Sequence, residues 1–451
     1  METAVNVYDN MTLLGSGVRV KPFPEVLKEV QEYVAKNYAK ILMDSPDDNR
    51  ELIKSYIEKY IDSQKLAVED TEKVDLVELI YGEMTGYSFL SKYLYRNDVE
   101  EININQWDDV KITYANGEIL PSKEMFNDTQ HATDVIRRML QKNGMVFDHA
   151  QPIVVGHLSK KIRITVMGDG VVDSDKGLSA SIRIVNPRKL QLEDFANNGT
   201  ATKEMLEMLA VFYSHGVSMC ITGATSSGKT TLMSWILSQV PFWKRVVTIE
   251  QNVREFNLTV RDEKGKVLNN VVHLCTRFSD DPKQNIDSVK LLETTLTINP
   301  DCIAVAEMKS IEAFLAIMAA NTGHAVITTI HANSCFDTYY RMVTLSKQMY
   351  NMDDNSLMGL ATKAFPIIVF AKKLEDNSRR IMEITECESV KNGQPIMRTL
   401  YRFKITDTKV ENGKTKIIGY YEKVNNPTEG LQQRLRENGM SLSVQDRLFT
   451  V

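Results

Sequence analysis

The residues with the clearest chemical purpose are Gly223-Ala224-Thr225-Ser226-Ser227-Gly228-Lys229-Thr230, with Thr231 behind them. Their types and order match G-x-x-x-x-G-K-[ST], the phosphate loop known as Walker A. Glycines allow a backbone tight enough to aim N–H groups at phosphate oxygens, and a following helix start adds a favourable dipole. Lys229 suits the β- and γ-phosphates, and the Thr230 hydroxyl suits Mg²⁺. Val217 to Thr222 reads as a buried strand before the loop, and Thr231 to Leu237 has apolar residues at helical spacing after it. A chance Gly/Ser turn lacks those flanks, so the stretch implies a site for a nucleoside triphosphate and its Mg²⁺.

Three further segments carry groups that could act on such a ligand. Arg245 to Glu250 is an apolar strand ending in a carboxylate, with Glu255 five residues on. Cys302 to Glu307 is another, with Glu307 at the Walker B position. Acids at strand ends beside a phosphate loop can hold Mg²⁺ or polarise water, although each alone also reads as a surface strand end. In the third segment His324 and His331 bracket the run Ala325 to Ile330, and His331 opens the polar stretch Ala332-Asn333-Ser334. A lone histidine is usually structural, but this placement suits hydrogen bonding that reports phosphate state.

At 451 residues, the chain has room for two or three domains. A net charge of −5 gives no electrostatic footprint for nucleic acid, so no direct nucleic-acid contact is expected. The five cysteines are scattered and never form C-x-x-C, which points to reduced thiols and against a zinc ribbon. No apolar run approaches the ~18 residues of a membrane span, and the first residues, with Glu2 and Asp9, lack a signal pattern. A cytoplasmic location is expected.

Around these groups the pattern predicts an α/β fold in four parts. Residues 1–65 read as a helical N-terminal region. Its stripes run from Phe23 to Ile41 and from Leu52 to Ile61, broken at Ser45-Pro46-Asp47-Asp48. Residues 66–190 read as an α+β domain, with a helix over Asp75 to Leu94, strands at Val99 to Ile104 and Asp109 to Tyr114, and a turn at Asn116-Gly117. A helix from Thr129 to Lys142 and short strands through Ile153–Val155, Ile162–Val166 and Ala180–Val185 complete it. A linker is expected near 186–200, opening at Asn186-Pro187-Arg188. Strands and helices then alternate through 191–375 as in a RecA-like core. Residues 376–451 read as a β-rich extension, with a helix at Thr428 to Leu442.

The order of phosphate loop, T-I-E strand, Walker B Glu307 and T-G-H-x-x-x-x-T-x-H-A-N-S resembles the secretion ATPase superfamily of type II and type IV systems. Within it the chain is most similar to the CpaF-like branch of tight-adherence (Flp) pili. Gly86-Tyr87-Ser88-Phe89-Leu90, Val99 to Asn105, Ser181-Ile182-Arg183 and Ser378-Arg379-Arg380-Ile381 to Thr385-Glu386 resemble segments of that branch. The four-cysteine zinc module of the general secretory relatives is absent.

The resemblance implies a homo-hexameric ATPase that docks beneath an inner-membrane platform protein and closes its N-terminal domain over ATP. It assigns phosphate and Mg²⁺ binding to Lys229 and Thr230, an acidic box to Glu250 and Glu255, and the Walker B acid to Glu307. His324 and His331 form its histidine box. Arg183, Arg277 and Arg341 match arginines that reach phosphates or neighbouring subunits, and a planar guanidinium suits that role. Gln251, Met308-Lys309-Ser310 and Thr297 to Cys302 depart from the family pattern and remove several arginines, for which lysine is no equivalent. Two other readings fit the same residues: the ATPase of a conjugative machine, and a nucleotide-gated scaffold that hydrolyses weakly.

Overall fold

The computed structural model describes residues 19–449 apart from 44–49, 69–70, 86, 95, 97, 116, 160–161, 185–189, 252–253, 278–281 and 412–413. The expected break at Ser45-Pro46-Asp47-Asp48, Gly86, Asn116, Asn186-Pro187-Arg188 and the first residues with Glu2 and Asp9 lie outside the described residues. The chain forms two compact units, Met1–Asn186 and Pro187–Val451.

In the first unit the helices Phe23–Met43, Arg50–Gln64 and Lys73–Thr85 share one apolar cluster, built on Val26, Val30, Ile53, Ile57, Leu76 and Ile80. The helix expected over Asp75 to Leu94 is divided. Lys73–Thr85 stops, a 3₁₀ turn Ser88–Leu90 and a short helix Ser91–Leu94 follow, and Ser88 takes a φ of 50°, outside the range of a continuous α-helix. A six-stranded antiparallel sheet follows. Its order is Ile119–Pro121, Asp109–Tyr114, Val99–Gln106, Ser179–Ile184, Ile162–Met167 and Ile153–Ser159. Side chains alternate across it. Ile102, Ile104, Ile164, Val166, Ala180 and Ile182 turn inward onto the helix Thr129–Lys142, which Asp128 caps by accepting from the His131 amide. Glu101, Arg163, Thr165, Ser181 and Arg183 alternate with them and turn outward.

The second unit is built on a nine-stranded sheet. Six strands run parallel, in the order Val271–Cys275, Val246–Glu250, Cys302–Val305, Ala325–Ile330, Met219–Thr222 and Ile367–Lys373. Both faces of the central strands are covered, which is why they read as unbroken apolar runs. Met219, Ile221, Cys302, Ala304 and Ile327 face a core with the helices Lys203–Ser214 and Lys229–Ser238. Cys220, Ile303, Val305 and Val326 face the opposite core, with Glu312–Asn321, Cys335–Ser346 and Asp354–Ala364. Each large apolar side chain buried this way contributes about 1.5–3 kcal/mol, which makes the strand order rigid enough to position a site.

The strands expected as a C-terminal extension prolong this same sheet. Arg379–Lys391 pairs antiparallel with Ile367–Lys373, and Gln394–Glu411 and Lys414–Lys423 follow. The helix expected over Thr428 to Leu442 is two, Glu429–Glu437 and Leu442–Phe449, broken where Gly439 takes a φ of 93°.

Candidate functional site

Parallel strands end on one edge, and the loops leaving that edge gather the side chains carried by separate strands. Thr222 leads there into Gly223, Val305 into Glu307, Ile330 into His331, and Lys373 into the turn before Arg379. The strand Met219–Thr222 pairs with Ala325–Ile330 on one side and with Ile367–Lys373 on the other. Ala325–Ile330 in turn pairs with Cys302–Val305. The phosphate loop therefore opens beside the histidine and one strand from the acid.

The loop backbone has the shape its glycines require. Gly223 has φ +147°, and a Cβ there would lie 2.0 Å from the Ala371 carbonyl oxygen, so no other residue fits. Ser226 at φ 60° and Gly228 at φ 91° complete the left-handed bends. Gly228 starts the helix Lys229–Ser238 without a capping side chain. Its first amides and the helix dipole thus face the loop, the arrangement that attracts phosphate. Ala224, Thr225 and Ser226 are exposed, as is Thr231, and Thr230 is half-buried. The Ser227 and Thr222 hydroxyls are buried without a hydrogen-bond partner among the described residues. Lys229 is buried and donates from Nζ to the carbonyls of Gly223 (2.9 Å) and Ala224 (2.8 Å).

His331 connects this loop to Glu307. Its Nδ1 lies 3.1 Å from the Gly223 oxygen and its Nε2 lies 2.9 Å from Oε1 of Glu307. Oε1 is buried without a hydrogen bond among the described residues, and the His331 ring is the group that stands against it. Lys229 Nζ lies 3.5 Å from Nδ1, and Lys309 Nζ lies 2.9 Å from Glu307 Oε2. Glu307 is held in register by its neighbours: Met308 donates its amide to Thr329 (2.8 Å), and the Thr329 hydroxyl donates to Ala306 (2.7 Å).

The acidic box takes a different form from the one expected. Glu250 is 1% exposed. Its Oε2 accepts the amides of Glu255 and Phe256, the second at 2.8 Å, and its Oε1 accepts the Thr248 hydroxyl at 3.0 Å. Behind it, His273 Nδ1 lies 2.9 Å from the Thr248 hydroxyl. A carboxylate satisfied on both oxygens is a structural anchor for the turn that carries Glu255, and in this geometry it is not presented to Mg²⁺.

Other expected residues stand apart. His324 is the clearest correction. The six residues Ala325–Ile330 separate it from His331, and at ~3.3 Å per residue that is a distance of ~20 Å. It sits at the amino edge of the sheet, with its Nδ1 3.3 Å from the Ala319 carbonyl, while the loop lies at the carboxyl edge. Arg277 is exposed and leaves the outermost parallel strand, with Nη2 3.3 Å from the Gln284 oxygen. Three strands, and so four spacings of ~4.8 Å, separate that strand from the loop strand. Arg341 is exposed on the helix Cys335–Ser346.

Arg183, in the first unit, belongs to a row across four strands. Glu101 pairs with Arg183, Arg183 with Arg163, and Arg163 with His157. Glu101, Arg163, Thr165, Ser181 and Arg183 line a cavity of about 170 Å³, where Ser181 donates to Glu101 at 2.7 Å. Two arginines directly opposite one another repel, so the row is suited to an anion. Burial, and then the Arg163 charge, hold His157 below its ordinary value. Arg163 was missed in the sequence, where its only sign is an outward position between Ile162 and Ile164. Arg379 appeared there only as a motif letter, yet its Nε donates to the Ser226 carbonyl of the loop at 3.0 Å.

A family model described as "Type II/IV secretion system protein" matches residues 161–445. An uncharacterized protein of Methanocaldococcus jannaschii is 24% identical over 391 residues, covering 86% of this chain and 68% of that protein. The type IV secretion system protein VirB11 of Bartonella henselae is 26% identical over 290 residues, covering 55% of this chain and 77% of its own. Among solved structures, the Legionella pneumophila ATPase DotB is 19% identical and covers 66% of this chain and 79% of its own, with a TM-score of 0.46. No helix among the described residues is long and apolar enough to cross a membrane. The family match spans more than half of the chain and takes in the phosphate loop, Glu307 and His331: this chain belongs to the type II/IV secretion ATPase superfamily.

Proposed function

We propose that this chain is an ATP-hydrolysing motor of a pilus-assembly or secretion machine, acting as a homo-hexamer on the cytoplasmic side of an inner-membrane platform protein. The observation that carries the reading is the convergence on Gly223: Lys229 Nζ and His331 Nδ1 both meet its carbonyl, and the same imidazole meets Glu307. The residues fit a bound nucleotide. A Cβ would fill the turn at Gly223, and the orphaned Ser227 hydroxyl belongs to the loop itself.

In this reading the loop amides from Ala224 to Thr230 receive the phosphates, and Lys229 exchanges the two loop carbonyls for phosphate oxygens. The Thr230 hydroxyl and Glu307, partly through water, would hold Mg²⁺, which when bound neutralises charge on the β- and γ-phosphates. Glu307 then orients the attacking water. His331 links acid to loop, so a change at one is felt at the other. Glu250 fixes the turn that presents Glu255. Arg183 and Arg163 offer guanidinium groups suited to phosphate, and Arg277 and Arg341 act at neighbouring subunits. Closure and release of rigid units around a nucleotide convert its hydrolysis into motion.

The tight-adherence pilus branch is the machine we favour, on the segment resemblances above. Similarity to VirB11 supports a conjugative or type IV secretion machine as the second reading. Replacement of the usual arginines by Met308-Lys309-Ser310 supports a slow, scaffold-like enzyme as a third. Turnover of the purified chain with Mg²⁺ tests the proposal. Lys229→Ala should lower it by about 10²-fold or more, as removal of one preorganised charge donor does elsewhere. Undiminished turnover in that variant would sink it.

A further inference from the structure

We propose that Arg379 is a nucleotide-contacting residue, a guanidinium brought to the phosphate loop by the C-terminal part of the same chain. The inference rests on reading Gly223–Thr230 as a working phosphate loop. The strand Ile367–Lys373 runs parallel to Met219–Thr222, with Phe370 opposite Thr222. The turn that follows it therefore opens on the same edge as the loop. That turn is tightly built. Leu374 donates its amide to Ser378, Asn377 takes φ 62°, and Asp376 accepts from the Ser378 amide (3.0 Å), the Ser378 hydroxyl (2.5 Å) and the Ile417 amide (3.0 Å).

Arg379 leaves this turn across the face of the loop. Its Nε holds the Ser226 carbonyl, and its Cδ lies 3.4 Å from where a Gly228 Cβ would stand. The side chain thus spans the centre of the loop, between the left-handed Ser226 and the start of the helix. Lys373 stands opposite Arg379 in the strand pairing. The two cations together add positive charge to this edge of the sheet. Its neighbour Arg380 donates to the Asn198 carbonyl, lies over Phe403 and acts on Asp376. A di- or triphosphate is the anion this edge is shaped to receive, and the fixed fork of Arg379 can bind it while Nε keeps the loop in register.

The test measures binding of fluorescent ADP and ATP analogues to the full-length chain at several ionic strengths, for wild type, Lys229→Ala, Arg379→Ala and Arg379→Lys. Loss of one charge-assisted hydrogen bond should weaken both nucleotides about 10-fold or more. Arg379→Ala should also give a shallower salt dependence, which a purely structural staple would not change. Arg379→Lys should restore the salt dependence and only part of the affinity. Thermal unfolding without nucleotide confirms that the variants fold. Wild-type affinity and salt slope in Arg379→Ala, with binding lost in Lys229→Ala, would overturn the assignment. Failure of the wild type to bind either nucleotide would overturn the nucleotide site and this inference together.

Discussion

Gly223→Ala tests whether the loop geometry is dictated by its neighbours. Two costs are separable. Residues other than glycine pay about 1–3 kcal/mol to hold a sparsely populated backbone conformation, and Gly223 lies at φ +147°. The added methyl would also lie 2.0 Å from the Ala371 oxygen and 2.9 Å from the Ser227 hydroxyl. The Ala371 carbonyl cannot retreat cheaply, because its strand is paired on both sides. Overpacking of this kind adds about 1–3 kcal/mol, for about 2–6 kcal/mol in all. Gly323→Ala is the control: φ is +103°, but nothing lies within 4 Å of the new methyl, so only the backbone cost applies. The two variants should therefore differ by about 1–3 kcal/mol. Urea unfolding in a Trp107→Phe background, where Trp235 and Trp243 report the second unit, measures the difference. Equal midpoints would refute the argument that Ala371 shapes the loop.

Three shorter expectations follow from other contacts. Burial alone would raise the Asp376 carboxyl, but the bonds from Ser378 and Ile417 and the Arg380 charge outweigh it and hold the group below its ordinary value. Its contribution to stability is thus present above about pH 4 and lost as pH falls through the lowered value; Asp376→Asn should flatten that acid limb in thermal unfolding. Arg163→Gln should stabilise the first unit by about 0.2–1 kcal/mol at low salt, with the gain fading in about 1 M salt, because it removes a like-charge pair. A stability loss there would contradict the reading of the arginine row. Burial raises all five thiols, Cys387 to about 11 and Cys302 to about 12, so a thiol reagent at pH 8 should label the partly exposed Cys275 fastest and leave the buried Cys220, Cys302 and Cys335 unlabelled in the folded chain. Labelling at Cys302 before unfolding would show that strand to be open.

The parallel core was legible because strands buried on both faces must be apolar throughout: Val246–Glu250, Cys302–Val305 and Ala325–Ile330 stand out against their flanks. The loop was legible because its glycines serve backbone geometry that a local pattern can show. Relations between distant segments were not. Nothing near Glu250 reveals that two amides five and six residues later occupy its carboxylate, or that His273 lies behind Thr248. Arg379 is 153 residues from Ser226, and only the pairing of Ile367–Lys373 with Met219–Thr222 brings it there. His324 shows the converse: its place in a motif suggested the site, while the length of one strand puts it at the far edge.

The most direct test of the account separates binding from chemistry at Glu307. Full-length Glu307→Gln should still bind ATP, with at most a modest loss of affinity, since the loop amides of Gly223–Thr230 and Lys229 remain to hold the phosphates. Its Mg²⁺-dependent turnover should fall about 10²-fold or more, because the group that orients water has lost its charge. Turnover at the wild-type rate in that variant would contradict the assignment of Glu307, and with it the reading of this edge of the sheet as a hydrolytic site.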